Sequence, residues 1–283
     1  MNAIELSHIS KSFGSFAIQD LNLTIPCGTI CGLVGENGAG KSTTIRLIMN
    51  ALQPDSGTAF VQGVDVSSPE FQQVKEDIGV VLDEAYFPEV LTPVQVGKVM
   101  ATTYRRWDQK QYTDFLQRFD LPEKKAFKDF SRGMKMKLAI AIALSHHPKL
   151  LILDEATSGL DPIVRDEVLE IFNEFTREED HSILLSSHIV SDLEKLCDYI
   201  AFIHQGRLLF CEEKDQMLET YGIFTGTAEQ VQSLQEEAVV GCENSGYSMR
   251  ALVRRDEMPA SLEVERASIE DIILFMVKGA KQK

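Results

Sequence analysis

An apolar run, Thr29–Val34, stops at Gly35-Glu36-Asn37-Gly38-Ala39-Gly40-Lys41-Ser42 and passes into a helix-like segment, Lys41–Met49. Nothing else in the 283-residue chain constrains its fold as much. Every fixed position of G-x-x-x-x-G-K-[ST] is met, in the strand–loop–helix setting that this phosphate-binding pattern requires. Glycine tolerates positive φ and lets backbone approach a ligand closely. The loop amides and the helix N-terminus can therefore converge on an anion. The nucleotide-binding candidates are Gly35, Asn37, Gly38, Ala39, Gly40, Lys41, Ser42 and Thr43. Lys41 is expected to reach the β- and γ-phosphates of ATP, and Ser42 to ligate Mg²⁺.

A second apolar run, Leu150–Leu153, ends in Asp154-Glu155. A strand this apolar is buried, so both carboxylates emerge at its C-terminal edge, where open α/β sheets bind ligands. Asp154 is expected to hold Mg²⁺ and Glu155 to act as a general base on water. Further apolar runs at Ile78–Leu82 and Ile183–Ser186 alternate with helical segments such as Pro162–Thr176 and Ile189–Cys197. That alternation predicts a mostly parallel sheet covered on both faces. The first strands, around Ile4–Ile9 and Ile18–Ile25, read as antiparallel, and Gln205-Gly206 as a hairpin turn. A helical insertion is expected over about 84–148. After about Tyr221 short strand-like pieces (Ala238–Val240, Met249–Val253, Leu262–Val264) surround a helix from about Glu229. A final helix, Ser268–Val277, opens with Ser268 and Asp271 spaced as a capping box. The expected domains are 1–220 and a small α+β appendage, 221–283.

The formal net charge is −15. An acidic chain lacks the basic face that a general nucleic-acid binder needs, although one local phosphate site is compatible with it. The five cysteines are scattered, with no C-x-x-C pair, which reads as free thiols in a reducing compartment. The longest clean apolar run, Leu138–Leu144, falls far short of the roughly 20 residues that span a bilayer. The expected location is cytoplasmic, with any membrane attachment supplied by another chain.

Taken together, residues 1–215 resemble the ABC ATPases, whose motifs appear in order. Phe130-Ser131-Arg132-Gly133-Met134 stands where the family carries its LSGGQ signature, and Ser158-Gly159-Leu160-Asp161 resembles the D-loop. His188, after Ser186-Ser187, resembles the switch histidine, and Phe13 falls where the family stacks an aromatic ring on adenine. The resemblance implies a RecA-like P-loop NTPase core with an antiparallel β subdomain and a helical subdomain. It also implies a head-to-tail pair of such subunits, a homodimer or a paired ATPase. In that pair Ser131 and the Gly133 amide would bind the γ-phosphate held by the partner, and Asp161 would contribute from the D-loop. Ser131 also suits a helix N-cap, a compatible role.

The sequence departs from the family at several places. Phe130, Arg132 and Met134 replace Leu, Gly and Gln of the signature, and Ala156 replaces a proline. Arg132 adds a charge near phosphate or simply starts a solvated helix. Asp83 stands at the end of Ile78–Leu82, where the family has its Q-loop glutamine; it is expected near Mg²⁺ or the attacking water. The finer resemblance is to bacterial subunits paired with ABC-2-type permeases, exporters of antibiotic, peptide or lipid-like substrates. The alternative is a soluble ABC ATPase acting on ribosomes or in repair. A transport motor without a membrane span needs a separate permease. The segment Glu84–Leu91, with Tyr86, Phe87, Val90 and Leu91, reads either as its docking patch or as packing of the insertion on the core.

Overall fold

Three strands of the chain are buried at every position: β3 (Ile30–Val34), β7 (Leu150–Asp154) and β8 (Ser182–Ser186). Continuous burial requires cover on both faces, the condition that parallel sheets meet. These strands form the centre of a six-stranded sheet ordered β10-β9-β3-β8-β7-β6. The outer members are β6 (Ile78–Val81), β9 (Tyr199–His204) and β10 (Arg207–Glu213). Pairings within β9-β3-β8-β7-β6 are parallel and continuous, for example Cys31 opposite Leu184 and Leu153 opposite Leu185. This computed structural model describes residues 1–83, 87–244, 246 and 248–280.

A second sheet lies beside the first, ordered β2-β1-β4-β5 and antiparallel throughout. Its strands are β1 (Asn2–Phe13), β2 (Phe16–Pro26), β4 (Ser56–Val61) and β5 (Val64–Asp65). One apolar core joins the two sheets: Ile4, Leu21 and Ile25 pack with Leu33, Ile45 and Ile152, all nearly inaccessible. Helix α1 (Lys41–Ile48) packs against β4 and β7, so the helix that follows the glycine-rich loop is anchored on both sheets. The turn between β9 and β10 has positive φ at both Gln205 and Gly206, as a two-residue hairpin with the right-handed strand twist requires.

The expected helical insertion forms three helices beyond a short α2 (Phe71–Val74): α3 (Pro93–Thr103), α4 (Gln109–Arg118) and α5 (Arg132–Leu144). They pack on one another, and α5 also lies against β6. Tyr112 is the buried keystone, its hydroxyl donating to the Pro93 carbonyl at 2.9 Å. Helices α6 (Pro162–Phe175) and α7 (Val190–Leu196) complete the core. Among the described residues no helix is long and apolar enough to cross a membrane.

The chain divides into two compact units, Met1–Cys211 and Glu212–Lys283. The second contains helix α8 (Lys214–Thr220), strand β11 (Tyr221–Gly226), helix α9 (Ala228–Gln232), and strands β12 (Val239–Asn244), β13 (Met249–Arg254) and β14 (Glu265–Arg266). Its antiparallel sheet runs β12-β13-β11-β14. A central strand at Tyr221–Gly226 was not expected from sequence, and the last strand falls at Glu265–Arg266 instead of Leu262–Val264. Leu262 and Val264 spend their apolarity packing against the small core of Phe224, Val231, Ala251 and Val253. The final helix, α10 (Ile269–Ala280), starts with the expected reciprocal cap: the Asp271 amide donates to Ser268 Oγ at 3.1 Å and the Ser268 amide to Asp271 Oδ2 at 3.2 Å.

Candidate functional site

Strand order decides where the motifs meet. Strands β6, β7, β8 and β3 are adjacent and parallel, so the segments leaving their C-terminal ends share one sheet edge. Those segments carry Asp83, then Asp154 and Glu155, then Ser187 and His188, then Gly35–Lys41.

The glycine-rich loop has the backbone its sequence demands. Gly40, directly before α1, has φ +118°, and a Cβ there would stand 2.6 Å from Ile18 Cδ1. An L side chain there would be strained in its backbone and would have to displace Ile18. Lys41 opens the helix but folds back: its Nζ donates to the carbonyls of Gly35 at 2.7 Å and Glu36 at 3.4 Å. The ammonium is buried, 3.7 Å from Glu155 Oε1. A cation held inside the loop faces the space that the loop surrounds. Ser42 is exposed in the first turn of α1, and Thr43 is half-buried beside it.

Asp154 and Glu155 part company. Asp154 is buried, and among the described residues its Oδ1 has no hydrogen-bond partner; neither has Oγ of Ser186, its register partner on β8. A buried carboxylate oxygen left unpaired is costly, which marks a position built to meet something further. Glu155 takes positive φ, +54°, a strained conformation for a long side chain. Its amide is held by the Ser186 carbonyl at 3.0 Å. Its Oε2 lies 2.6 Å from His188 Nδ1, so Glu155 stands between Lys41 and His188. The exposed far side of the imidazole is free to move or to meet a ligand.

Phe13 is 42% exposed and stacks on Phe16, ring centroids 6.5 Å apart. Phe16 in turn lines a cleft of about 360 Å³ with Asn37, Gly38 and Gln205. It is the Phe16 ring that borders the glycine-rich loop, 3.2 Å from where a Cβ on Gly40 would stand, whereas Phe13 does not line that cleft. Ser131 caps α5, its Oγ accepting from the Met134 amide at 3.3 Å. Asp161 caps α6 in the same way, accepting from the Val164 amide at 3.2 Å. Gly133 is not required by packing within the chain: a Cβ there would meet Leu160 Cδ2 at an ordinary 3.6 Å. Asp83 lies past Val81, whose register partner Leu153 precedes Asp154, and its Oδ1 pairs with Arg132 Nη2 at 2.8 Å.

Two features escaped the sequence reading. Asp192 of α7 is buried, accepting from Thr157 Oγ1 at 2.7 Å and Arg165 Nε at 2.6 Å. This network ties the loop after Glu155 to the helix after His188 and to α6. A lone acid in an ordinary helical pattern gives no signal of such a role. The other is Ser186, whose hydroxyl looks like any strand-end serine until the register sets it beside Asp154.

Comparison with known proteins agrees with the geometry. Residues 18–158 match the sequence model of the ABC transporter family. The chain is 36% identical over 215 residues to the lantibiotic transport ATP-binding protein SrtF of Streptococcus pyogenes, covering 75% of this chain and 91% of that one. It is 33% identical over 219 residues to the ABC transporter ATP-binding protein YtrB of Bacillus subtilis (77% and 74%). A solved ATP-binding subunit of an ABC transporter superposes with TM-score 0.68 at 29% identity, covering 76% of this chain and 91% of that one. The dimeric ATP-binding cassette MJ0796, bound to ADP and phosphate, shares the fold at TM-score 0.66 and 20% identity, over 74% and 98% of the two chains. A strand–glycine loop–helix cradle, an acid pair two strands away and a histidine just past the end of the strand between them, set in this fold and joined to these relatives, place the chain among the ATP-binding subunits of ABC transporters, which couple ATP hydrolysis to transport.

Proposed function

We propose that this subunit hydrolyses ATP with Glu155 as general base, held by His188, and drives an exporter of the ABC-2 type whose substrate is antibiotic, peptide or lipid-like. The observation that carries the catalytic part is the Lys41–Glu155–His188 arrangement at the sheet edge: one cation and one base within a few ångströms, supported by a histidine. Lys41 would leave its loop carbonyls for the β- and γ-phosphate oxygens. Glu155 would then accept a proton from the attacking water, and His188 would orient its carboxylate. Phe13 would stack on adenine, and Gly35, Asn37, Gly38, Ala39, Gly40 and Thr43 would surround the phosphates.

The donor set suits Mg²⁺. Among the described residues no group of three or more His, Cys, Asp or Glu could hold a metal, so an ion here would need phosphate oxygens as further ligands. Ser42 and the unpaired Asp154 Oδ1 are the protein ligands best placed by chemistry, whereas Asp83, expected near Mg²⁺ from the sequence, has its Oδ1 engaged by Arg132. The ion would neutralise phosphate charge.

Ser131, Gly133 and Asp161 would complete the site of a second subunit in a head-to-tail pair, as cassette MJ0796 is dimeric. Gly133 supports this reading, because nothing among the described residues of its own chain requires a glycine there. The export class rests on likeness to the lantibiotic transport protein SrtF. A separate integral-membrane permease would dock near Val90, 73% exposed, placing the subunit on the inner face of the membrane. Residues 221–283 would form an accessory domain with a regulatory or dimer-supporting role. Lys41→Ala tests the site: equilibrium binding of a fluorescent ATP analogue should be lost while circular dichroism is unchanged. Unaltered affinity would refute the phosphate-loop assignment.

A further inference from the structure

We infer that Arg132 is a positioning residue that neutralises Asp83 at the edge of the nucleotide site. The inference deepens the reading above and rests on it. Each member of the pair is unfavourable where it stands alone. Asp83 continues the strand edge that already carries Asp154 and Glu155, so its carboxylate adds negative charge where phosphate must bind. Arg132 is the first residue of α5, and no acid lies in that first turn. A cation there opposes the helix dipole, whose positive end favours anions.

The structure cancels one misfit against the other. Arg132 Nη2 reaches Asp83 Oδ1 at 2.8 Å across 49 positions of chain. Room for the guanidinium comes from a third element. A Cβ on Gly159, in the loop before α6, would stand 3.0 Å from Arg132 Nη1 and 3.1 Å from its Cζ, and Gly159 has φ +71°. Arg132 thus links the end of β6, the start of α5 and the loop that leads to Asp161. The two departures from the family, an acid for glutamine and an arginine for glycine, are therefore one linked exchange. The pair is half exposed, with 55% and 49% of the two side chains accessible, so the fold does not depend on it.

The test compares full-length wild type, Arg132→Gln, Arg132→Lys, Asp83→Asn and the Arg132→Gln/Asp83→Asn double variant by equilibrium binding of a fluorescent ATP analogue with Mg²⁺. A unit charge freed at about 10 Å from the phosphates, in a medium of effective dielectric about 40, weakens binding roughly fourfold. Arg132→Gln should show that loss, and the loss should shrink as salt rises. Arg132→Lys and the double variant should bind within about twofold of wild type, because each keeps the local charge balance, whereas Asp83→Asn frees the guanidinium charge and should bind more tightly by a factor similar to the Arg132→Gln loss. Unchanged binding by Arg132→Gln overturns the inference. So does a double variant as weak as Arg132→Gln, which would mean that Arg132 acts without Asp83. Failure of the wild type itself to bind nucleotide would instead refute the site reading.

Discussion

Glu155→Gln changes one atom type and almost no volume. Glu155 is only 14% exposed, and its Oε2 sits 2.6 Å from His188 Nδ1. A glutamine can still accept a hydrogen bond from that nitrogen, so the side chain stays in place. What it loses is the ability to take a proton from water. A positioned base contributes about 10²–10⁴-fold, which corresponds to about 2.7–5.5 kcal/mol of barrier. Binding should respond in the opposite sense. The carboxylate stands 3.7 Å from Lys41 Nζ and competes with phosphate for that cation, so its neutralisation leaves ATP affinity unchanged or tighter. Single-turnover phosphate release measures the first effect and fluorescent-analogue binding the second. Sedimentation velocity with ATP should show more dimer than wild type, because in the proposed head-to-tail pair trapped nucleotide would hold the two subunits together. Hydrolysis at the wild-type rate would refute the role of Glu155, and loss of ATP binding would show that the carboxylate instead props up the loop.

Two further expectations concern other regions. Val90→Asp places a charge on an exposed side chain and should abolish co-purification with the membrane permease while ATP binding persists; intact co-purification would remove Val90 from the docking surface. Phe87 is a poorer probe, because its ring packs edge-on against Phe127, 5.4 Å away. Buried His146 stacks on Tyr104 at 4.0 Å and lies against the carbonyls of Ile78 and Ile142, with Arg106 and Glu76 as the nearby charges. Burial, aided slightly by Arg106, pushes its pKa down against the pull of the two carbonyls and Glu76. The imidazole is therefore neutral in the fold, and its contribution is complete above the unfolded value of about 6.5 and fades as pH falls below it. The midpoint of thermal unfolding should therefore fall further between pH 7.5 and 5.5 in wild type than in His146→Gln. Equal slopes would refute that account.

Much of the core was legible because its signals are local. Glycines of positive φ, an apolar strand and a following helix declare themselves within a few residues, so the loop at Gly35–Ser42 and the acids after Leu153 were found without a fold. The Ser268–Asp271 cap was legible for the same reason. In the last 72 residues of the chain the signals were weaker. Tyr221–Gly226 mixes two glycines with three apolar residues, and it becomes a strand through pairing with Met249–Arg254, which no local pattern announces. The segment proposed to dock a permease divides similarly: Phe87 packs against Phe127 and Val90 is exposed, while Tyr86 lies outside the described residues.

The sequence by itself determined which residue types are offered to a nucleotide and on which element each sits, since backbone geometry and apolar periodicity are properties of short segments. Only the tertiary structure decided which distant groups face one another. The order β6-β7-β8-β3 set Glu155 against His188, left Asp154 Oδ1 without a partner among the described residues, and brought Arg132 to Asp83. Such pairings depend on strand order, register and rotamer together, and a charge in a sequence carries no record of the charge it will find.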